Sequence, residues 1–214
     1  MANLSILKKV ATVAAASTVA VMATTGKASA ITIDLGGTFG TATSYVYNQG
    51  GISVTATGVG ANPAETLLFR NSNGLGVVTG NDGNDNNQVD GLDINETLNL
   101  LFSPQVKLFR AIFSQVDATP DGDEYSILVD GSFLQSGNIA SIGTGTVSVA
   151  INNSPFGALY SFTVTDGDDD YFLKAVEVQP IPEPLTMGGI ALGATFGAYL
   201  RKRYSKKDEK LVKA

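Results

Sequence analysis

The sequence contains no cysteine, no histidine and no tryptophan among its 214 residues. Without cysteine there is no disulfide, so the fold must depend on a hydrophobic core. The same absences exclude a Ser-His-Asp triad, a Cys-His dyad and a histidine-ligated zinc site. Catalysis by carboxylates alone is the chemistry that they leave open.

Basic residues are scarce in the central part of the chain. Residues 31–182 contain four basic and seventeen acidic residues, a net charge of −13, whereas the whole chain has −6. This excess of negative charge disfavours nucleic acid and anionic lipid as partners, because both attract basic patches. It favours solubility or the binding of divalent cations.

The N-terminal thirty residues have the order of a secretory signal peptide. Lys8 and Lys9 precede an apolar stretch over residues 10–23, and the small-residue site Ala28-Ser29-Ala30 follows. We expect signal peptidase to cleave after Ala30, which leaves Ile31 as the new N-terminus. The alternative is an N-terminal transmembrane anchor.

The region after the signal peptide alternates apolar and polar residues with a period of two. Ile52, Val54 and Ala56, for example, alternate with serine and threonine, and Asp-Gly turns occur at residues 130–131 and 166–167. Many short strands at such spacing predict an all-β, jelly-roll-like β-sandwich over residues 31–179. The eleven candidate strands are 31–35, 45–47, 52–56, 66–70, 97–102, 106–116, 124–129, 132–135, 146–151, 159–165 and 171–178.

The C-terminal region begins with the triplet Pro182-Glu183-Pro184, which should be extended and exposed. An uncharged run over residues 185–200 follows, and then the basic cluster Arg201-Lys202-Arg203 and a basic tail over residues 205–214. Sixteen residues of helix span about 24 Å against a hydrocarbon core of about 30 Å. We therefore predict a short transmembrane helix with its basic end in the cytoplasm, and its glycines at 189, 193 and 197 favour close helix packing.

This order of triplet, glycine-rich apolar helix and basic cluster over residues 180–204 resembles the PEP-CTERM sorting signal of exported bacterial proteins. The resemblance implies processing near the triplet by exosortase, a membrane enzyme that resembles a cysteine protease or transpeptidase. It also implies transient anchoring in the cytoplasmic membrane, followed by release or attachment in the cell envelope or extracellular matrix, with exopolysaccharide as an expected partner. Residues 74–184 are similar to a group of such proteins with no assigned reaction. The alternative is an ordinary short membrane anchor.

The loop over residues 81–93 has the spacing of a calcium-binding loop. If Asp82 is position 1 of a twelve-residue loop, oxygen-bearing side chains fall at positions 3, 5, 7, 9 and 12. Asn87 replaces the usual glycine and an aspartate replaces the final glutamate, so a plain Asn/Asp surface loop is the alternative. The candidate Ca²⁺ ligands are Asp82, Asn84, Asn86, Asp90 and Asp93.

Two further acidic groups compete with this loop as calcium sites, and we expect each at the end of a hairpin. The first comprises Asp121, Asp123 and Glu124, and the second comprises Asp166, Asp168, Asp169 and Asp170. Solvated turns are the alternative interpretation of both groups.

The sequence thus predicts a non-enzymatic exported protein of the cell envelope or extracellular matrix. One alternative is a calcium-dependent carbohydrate-binding module in which tyrosines form the sugar-binding surface, although such tyrosines also suit a core. A second alternative is a small glycosidase that uses two carboxylates, for which Glu96 or Glu124 could serve. The tyrosines concerned are Tyr45, Tyr47, Tyr125, Tyr160 and Tyr171.

Overall fold

The computed structural model describes residues 29–60, 64–79, 87–91, 95–116, 122–139, 145–181, 196–199 and 201. These residues form thirteen β-strands, so the predicted all-β class is confirmed. The strands are β1 (Ile31–Asp34), β2 (Gly40–Ala42), β3 (Ser44–Gln49), β4 (Ile52–Val59), β5 (Thr66–Asn71), β6 (Gly74–Thr79), β7 (Val89–Asp90), β8 (Thr97–Ser114), β9 (Asp123–Val129), β10 (Ser132–Ile139), β11 (Thr146–Ala150), β12 (Phe156–Thr163) and β13 (Asp170–Pro180).

Strand β8 is the element on which the architecture depends. Its first half pairs with β4 and β12, and its second half pairs with β11 and β13. The cis Ser103-Pro104 bond lies between the two halves. Residues 97–102 and 106–116, predicted as separate strands, therefore belong to one strand that is shared by two sheet regions.

We call these two regions the first and the second sheet. The first sheet has the strand order β3-β4-β8-β12-β9-β10, in which every neighbouring pair is antiparallel. The second sheet has the order β11-β8-β13, and the other edge of β13 pairs with β1, β6 and β7. Strands β5 and β2 continue the second sheet beyond β6.

The hydrophobic core lies between the two sheets. Phe113, in the second half of β8, has its ring centroid 5.3 Å from that of Tyr125 in the first sheet and 4.9 Å from that of Tyr171 in the second. All three side chains are at most 3% exposed. The period-two pattern explains this arrangement, because it places every second side chain of a strand on the same face.

All eleven predicted ranges are strands, and because two of them form β8 they account for ten of the thirteen strands; β2, β6 and β7 are additional. The turn at Asp130-Gly131 is a hairpin turn in which both residues have positive φ, 48° and 80°, as a tight β-hairpin requires. The prediction of a hairpin at Asp166-Gly167 is wrong. Strand β12 lies in the first sheet and β13 in the second, so this turn connects the two sheets.

The C-terminal unit is described only at residues 196–199 and 201, which are helical. No helix of the described residues is both long enough and apolar enough to cross a membrane. Most of the transmembrane helix predicted for residues 185–200 lies outside the described residues. So do Ala28 of the signal-peptidase site, the triplet Pro182-Glu183-Pro184, and Lys202 and Arg203.

Candidate metal centre

Two acidic groups that the sequence presents as separate candidates meet at one end of the first sheet. Carboxylate oxygens of Glu124, Asp166 and Asp169 all lie within 4.8 Å of one another. Glu124 is half-buried on β9, Asp166 is exposed in the turn after β12, and Asp169 is buried just before β13. We call these three residues the acidic triad.

The pairing of β9 with β12 brings the triad together. Thr163 on β12 lies opposite Ser126 on β9, so the chain two residues further along reaches the level of Glu124. There the Thr165 hydroxyl donates a hydrogen bond of 2.7 Å to Glu124 Oε2. The register between β9 and β12 thus brings together residues that are about forty positions apart in the sequence.

The carboxylate of Asp169 is the hydrogen-bonding centre of the triad. Its Oδ1 accepts a bond of 2.8 Å from the backbone N–H of Glu124. Its Oδ2 accepts bonds from the N–H of Asp166 at 2.8 Å, and from both the N–H and the hydroxyl of Thr165 at 3.3 Å. Asp169 therefore fastens the turn after β12 to the start of β9.

Strand β7 lies next to the acidic triad, at an end of the first sheet that we call the acidic corner. Asp90 pairs with Asp170 across the β7–β13 ladder, and the Gln88 side chain donates a 2.6 Å hydrogen bond to Asp170 Oδ1. A Cβ atom on Gly91 would collide with the carbonyl oxygen of Asp166, so only glycine permits this approach. The backbone of β7 therefore packs directly against the turn that carries the triad.

Carboxyl groups are concentrated at this corner, and several of them are buried. Four carboxyl side chains there are at most 4% exposed, and neither of the two ion pairs among the described residues includes a member of the triad. Burial raises the pKa of Tyr171 well above its usual range, and the charges of Asp169 and Asp123 raise it further. The four buried carboxyl residues are Asp90, Glu96, Asp123 and Asp169.

The triad suits a hard cation. Calcium takes six to eight oxygen ligands, and carboxylates are its usual charged ones. Three carboxylates with converging oxygens supply part of that shell, and backbone carbonyls and water commonly supply the rest. A competing explanation is purely structural, because the four hydrogen bonds to Asp169 already brace the turn without an ion.

The predicted calcium loop is described only in its last part. Asp82, Asn84, Asn86 and Asp93 lie outside the described residues, as does Asp121. Asp90 is 3% exposed, and its backbone N–H lies 3.4 Å from Glu96 Oε2. Asp168 is exposed and is not a member of the triad.

The tyrosines belong to the core. Tyr125, Tyr160 and Tyr171 are at most 3% exposed, which confirms the core interpretation and contradicts the alternative that places them on a sugar-binding surface. Tyr45 and Tyr47 are half-buried and pack against the same core. Burial raises the pKa of Tyr47 to about 12, although a hydrogen bond with Arg70 opposes this shift. The Tyr160 hydroxyl donates to the carbonyl of Val106, and burial raises its pKa too.

Sequence reasoning identified both acidic groups but missed their convergence. The contact depends on which strands are neighbours, and an alternating pattern carries no information on that point. The run of four acidic residues between positions 166 and 170 is the one local signal that could have given this turn priority.

No protein-family model matches this chain. A search of curated proteins also finds no significant relative.

Proposed function

We propose that this chain is a non-enzymatic exported protein of the bacterial cell envelope or extracellular matrix, and that its β-sandwich binds calcium at the acidic triad. A PEP-CTERM signal would direct it to exosortase. The jelly-roll connectivity and the transmembrane helix stay predictions within this proposal.

The extent of the β-sheet structure is the observation that supports export. Strand β1 begins at Ile31, the residue after the proposed cleavage site, and β13 ends at Pro180, two residues before the triplet. The folded strands therefore occupy the interval between the two proposed processing segments. Trimming at both ends would remove none of the thirteen strands of the described residues.

The convergence of Glu124, Asp166 and Asp169 is the observation that supports calcium. A negatively charged corner that is partly withdrawn from water is costly, and a bound cation would compensate that cost. Oxygen ligands alone favour calcium or magnesium over zinc or copper. Calcium is preferred because it tolerates irregular geometry, whereas magnesium demands a near-ideal octahedron.

The arrangement gives less support to the two alternatives. A carbohydrate-binding module would lack its tyrosine platform, since these rings are packed in or against the core. For the glycosidase, Glu96 is fully buried and so is withdrawn from contact with a substrate.

Thermal unfolding of the full chain in excess calcium and in chelator tests the calcium site. At a calcium concentration one hundred times the dissociation constant, binding would stabilise the fold by about 2.7 kcal/mol. Asp166→Asn should abolish this gain, because Asp166 is exposed and its side chain belongs to the triad. Asp168→Asn is the matched control in the same turn and should retain the gain. An identical midpoint with calcium and with chelator would refute the calcium site.

Intact mass spectrometry of the protein made in a host with exosortase tests the sorting signal. We expect loss of both ends, with a new C-terminus near Pro184. Replacing Pro182 and Pro184 by alanine should block the C-terminal trimming, while Pro180→Ala, a neighbouring proline outside the triplet, should not. Recovery of a full-length chain with Met1 and Ala214 intact would contradict the export proposal and leave the calcium site unaffected.

A further inference from the structure

We propose that one end of the sandwich, the end at which both of its termini emerge, rests on the membrane surface while the C-terminal segment anchors the chain. This inference rests on the anchoring part of the proposed function. It adds which surface of the strands contacts lipid, and hence which surface faces outward. We call this end the terminal end, and its residues are Ile31, 105–107, Phe156 and 178–181.

Strand pairing brings the two termini of the sandwich together. Ile31, where β1 begins, lies opposite Val178 near the end of β13. On the other side of β13, the N–H of Ile181 donates a hydrogen bond of 3.2 Å to the carbonyl of Gln105. Because β1 and β13 are antiparallel, the residue that would follow signal-peptide cleavage lies beside the point where the chain leaves the sandwich.

The chain beyond this exit is too short to let the sandwich move far from a bilayer. Three residues separate Ile181 from Leu185, where the predicted transmembrane helix begins. Four residue steps span at most about 14 Å even when the chain is fully extended. A sandwich anchored by this helix would therefore keep its terminal end within that distance of the first helical residue.

Phe156 and Lys107 give the terminal end the chemistry of a membrane interface. They lie opposite each other on β12 and β8, and Phe156 is 43% exposed. Lys107 belongs to neither ion pair of the described residues, and its Nζ lies 5.4 Å from the ring centroid of Phe109. Aromatic rings and the long stem of lysine both suit the boundary between headgroups and acyl chains.

The charges near the terminal end do not oppose an anionic surface. Lys107 is positive, and cleavage of the signal peptide would add the α-amino group of Ile31 at the same end. Arg110 pairs with Glu177. Asp130, in the turn after β9, accepts hydrogen bonds from two backbone N–H groups of β12. The terminal end therefore differs from the acidic average of the sandwich.

The acidic triad lies at the opposite end. Strand β12 runs from Phe156 to Thr163 and β13 runs from Asp170 to Pro180, so the triad lies past the end of one strand and before the start of the other. Ten residue steps along β13 amount to about 33 Å. Charges at that separation are screened at physiological ionic strength, where the Debye length is about 8 Å. The triad would thus face the external medium, where calcium can reach it.

Fluorescence quenching in lipid vesicles tests this orientation, and the absence of native cysteine allows a label at a single position. The full chain is reconstituted in vesicles of phosphatidylcholine and phosphatidylglycerol that contain a lipid with a nitroxide quencher on its headgroup. A fluorophore on Gln105→Cys, at the terminal end, should be quenched strongly. One on Asp168→Cys, in the turn of the acidic triad, should be quenched little. Both positions are exposed, so both accept the label.

A second pair of variants tests whether the terminal end makes contact. In the Gln105→Cys background, Phe156→Ser should lower the ratio of membrane-contacting to free sandwich by about fivefold, which is the order expected for one partly exposed ring. Phe39→Ser is the matched control and should leave this ratio unchanged. Phe39 is 76% exposed, but it packs against Phe69, which contacts Phe172 near the start of β13.

The outcomes separate this inference from the proposed function. If the chain floats with the vesicles but its labels at positions 105 and 168 are quenched equally, the orientation is overturned and the anchoring stands. A chain that does not float with the vesicles would overturn both. Equal effects of Phe156→Ser and Phe39→Ser would show that the terminal end hangs near the membrane without resting on it, contrary to the proposal.

Discussion

The outer faces of the two sheets differ sharply in charge. The outward side chains of the first sheet's central strands, residues 53, 55, 57 and 59 on β4 and residues 97, 99, 101 and 103 on β8, carry no charge, whereas both ion pairs of the described residues join strands of the second sheet. Arg110 pairs with Glu177 between β8 and β13, and Lys174 pairs with Asp34 between β13 and β1. Because both faces cover the same core, stability alone does not require this difference.

The contrast indicates a division of roles. Charged groups on the second sheet keep that face solvated and disfavour edge-to-edge association. The acidic triad gathers carboxyl groups at one end of the first sheet, whose central strands carry uncharged outward side chains. This acidic protein therefore combines a carboxylate cluster at one end of the first sheet with uncharged side chains on the central strands of that sheet.

The largest effect should come from breaking the core that the two faces share. Phe113→Ala removes a buried ring that contacts both sheets, and should cost about 3–5 kcal/mol of unfolding free energy. Denaturant unfolding at low protein concentration measures it. Phe133→Ala, at a side chain that is 67% exposed, should cost less than about 0.5 kcal/mol. Two separate unfolding transitions would contradict this prediction, because the two sheets would then unfold as independent units.

An intermediate effect should come from the acidic triad. Asp169→Asn replaces a buried carboxylate that accepts bonds from three backbone N–H groups and one hydroxyl, so the amide cannot satisfy all of these donors. We expect a loss of about 2 kcal/mol in chelator, measured by chemical unfolding. The control Asp168→Asn should lose less than about 0.5 kcal/mol. Equal losses would mean that Asp169 has no special structural role.

The smallest effect should come from the charged face of the second sheet. Arg110→Gln breaks a pair whose side chains are 50% and 29% exposed, with 3.5 Å between Arg110 Nε and Glu177 Oε2. Exposed pairs contribute about 0.2–1 kcal/mol, and salt screens them. The difference from the parent chain should therefore vanish at high ionic strength. A larger loss that persists in salt would show that this face has a packing role beyond solvation.

The alternating pattern predicted most of the fold. Residues such as Ile52, Val54 and Ala56 reveal a strand because a strand with one buried face has an apolar residue at every second position. Strand β7 was missed because two residues cannot display a period. The continuity of β8 was missed because Pro104, which usually ends a strand, lies within it.

The candidate site was predicted only in its parts. Asp166 and Asp169 attract notice because they are close in the sequence, but their contact with Glu124 depends on the register between β9 and β12. The hairpin expected at Asp166-Gly167 was wrong because an Asp-Gly pair specifies a turn, not the sheet to which the next strand belongs. Strand order is decided by packing between distant segments, which local patterns do not encode.

The position of β13 has a mechanical consequence. This last strand of the sandwich lies inside the second sheet, with β8 on one side and β1 on the other, and the chain leaves it at Pro180. The hydrogen bonds of an antiparallel ladder run perpendicular to the strands, so a pull along β13 loads them all in shear at once. If the protein is held by its C-terminal segment at a cell surface, flow or swelling would strain both of these ladders together and would not peel the strand away bond by bond.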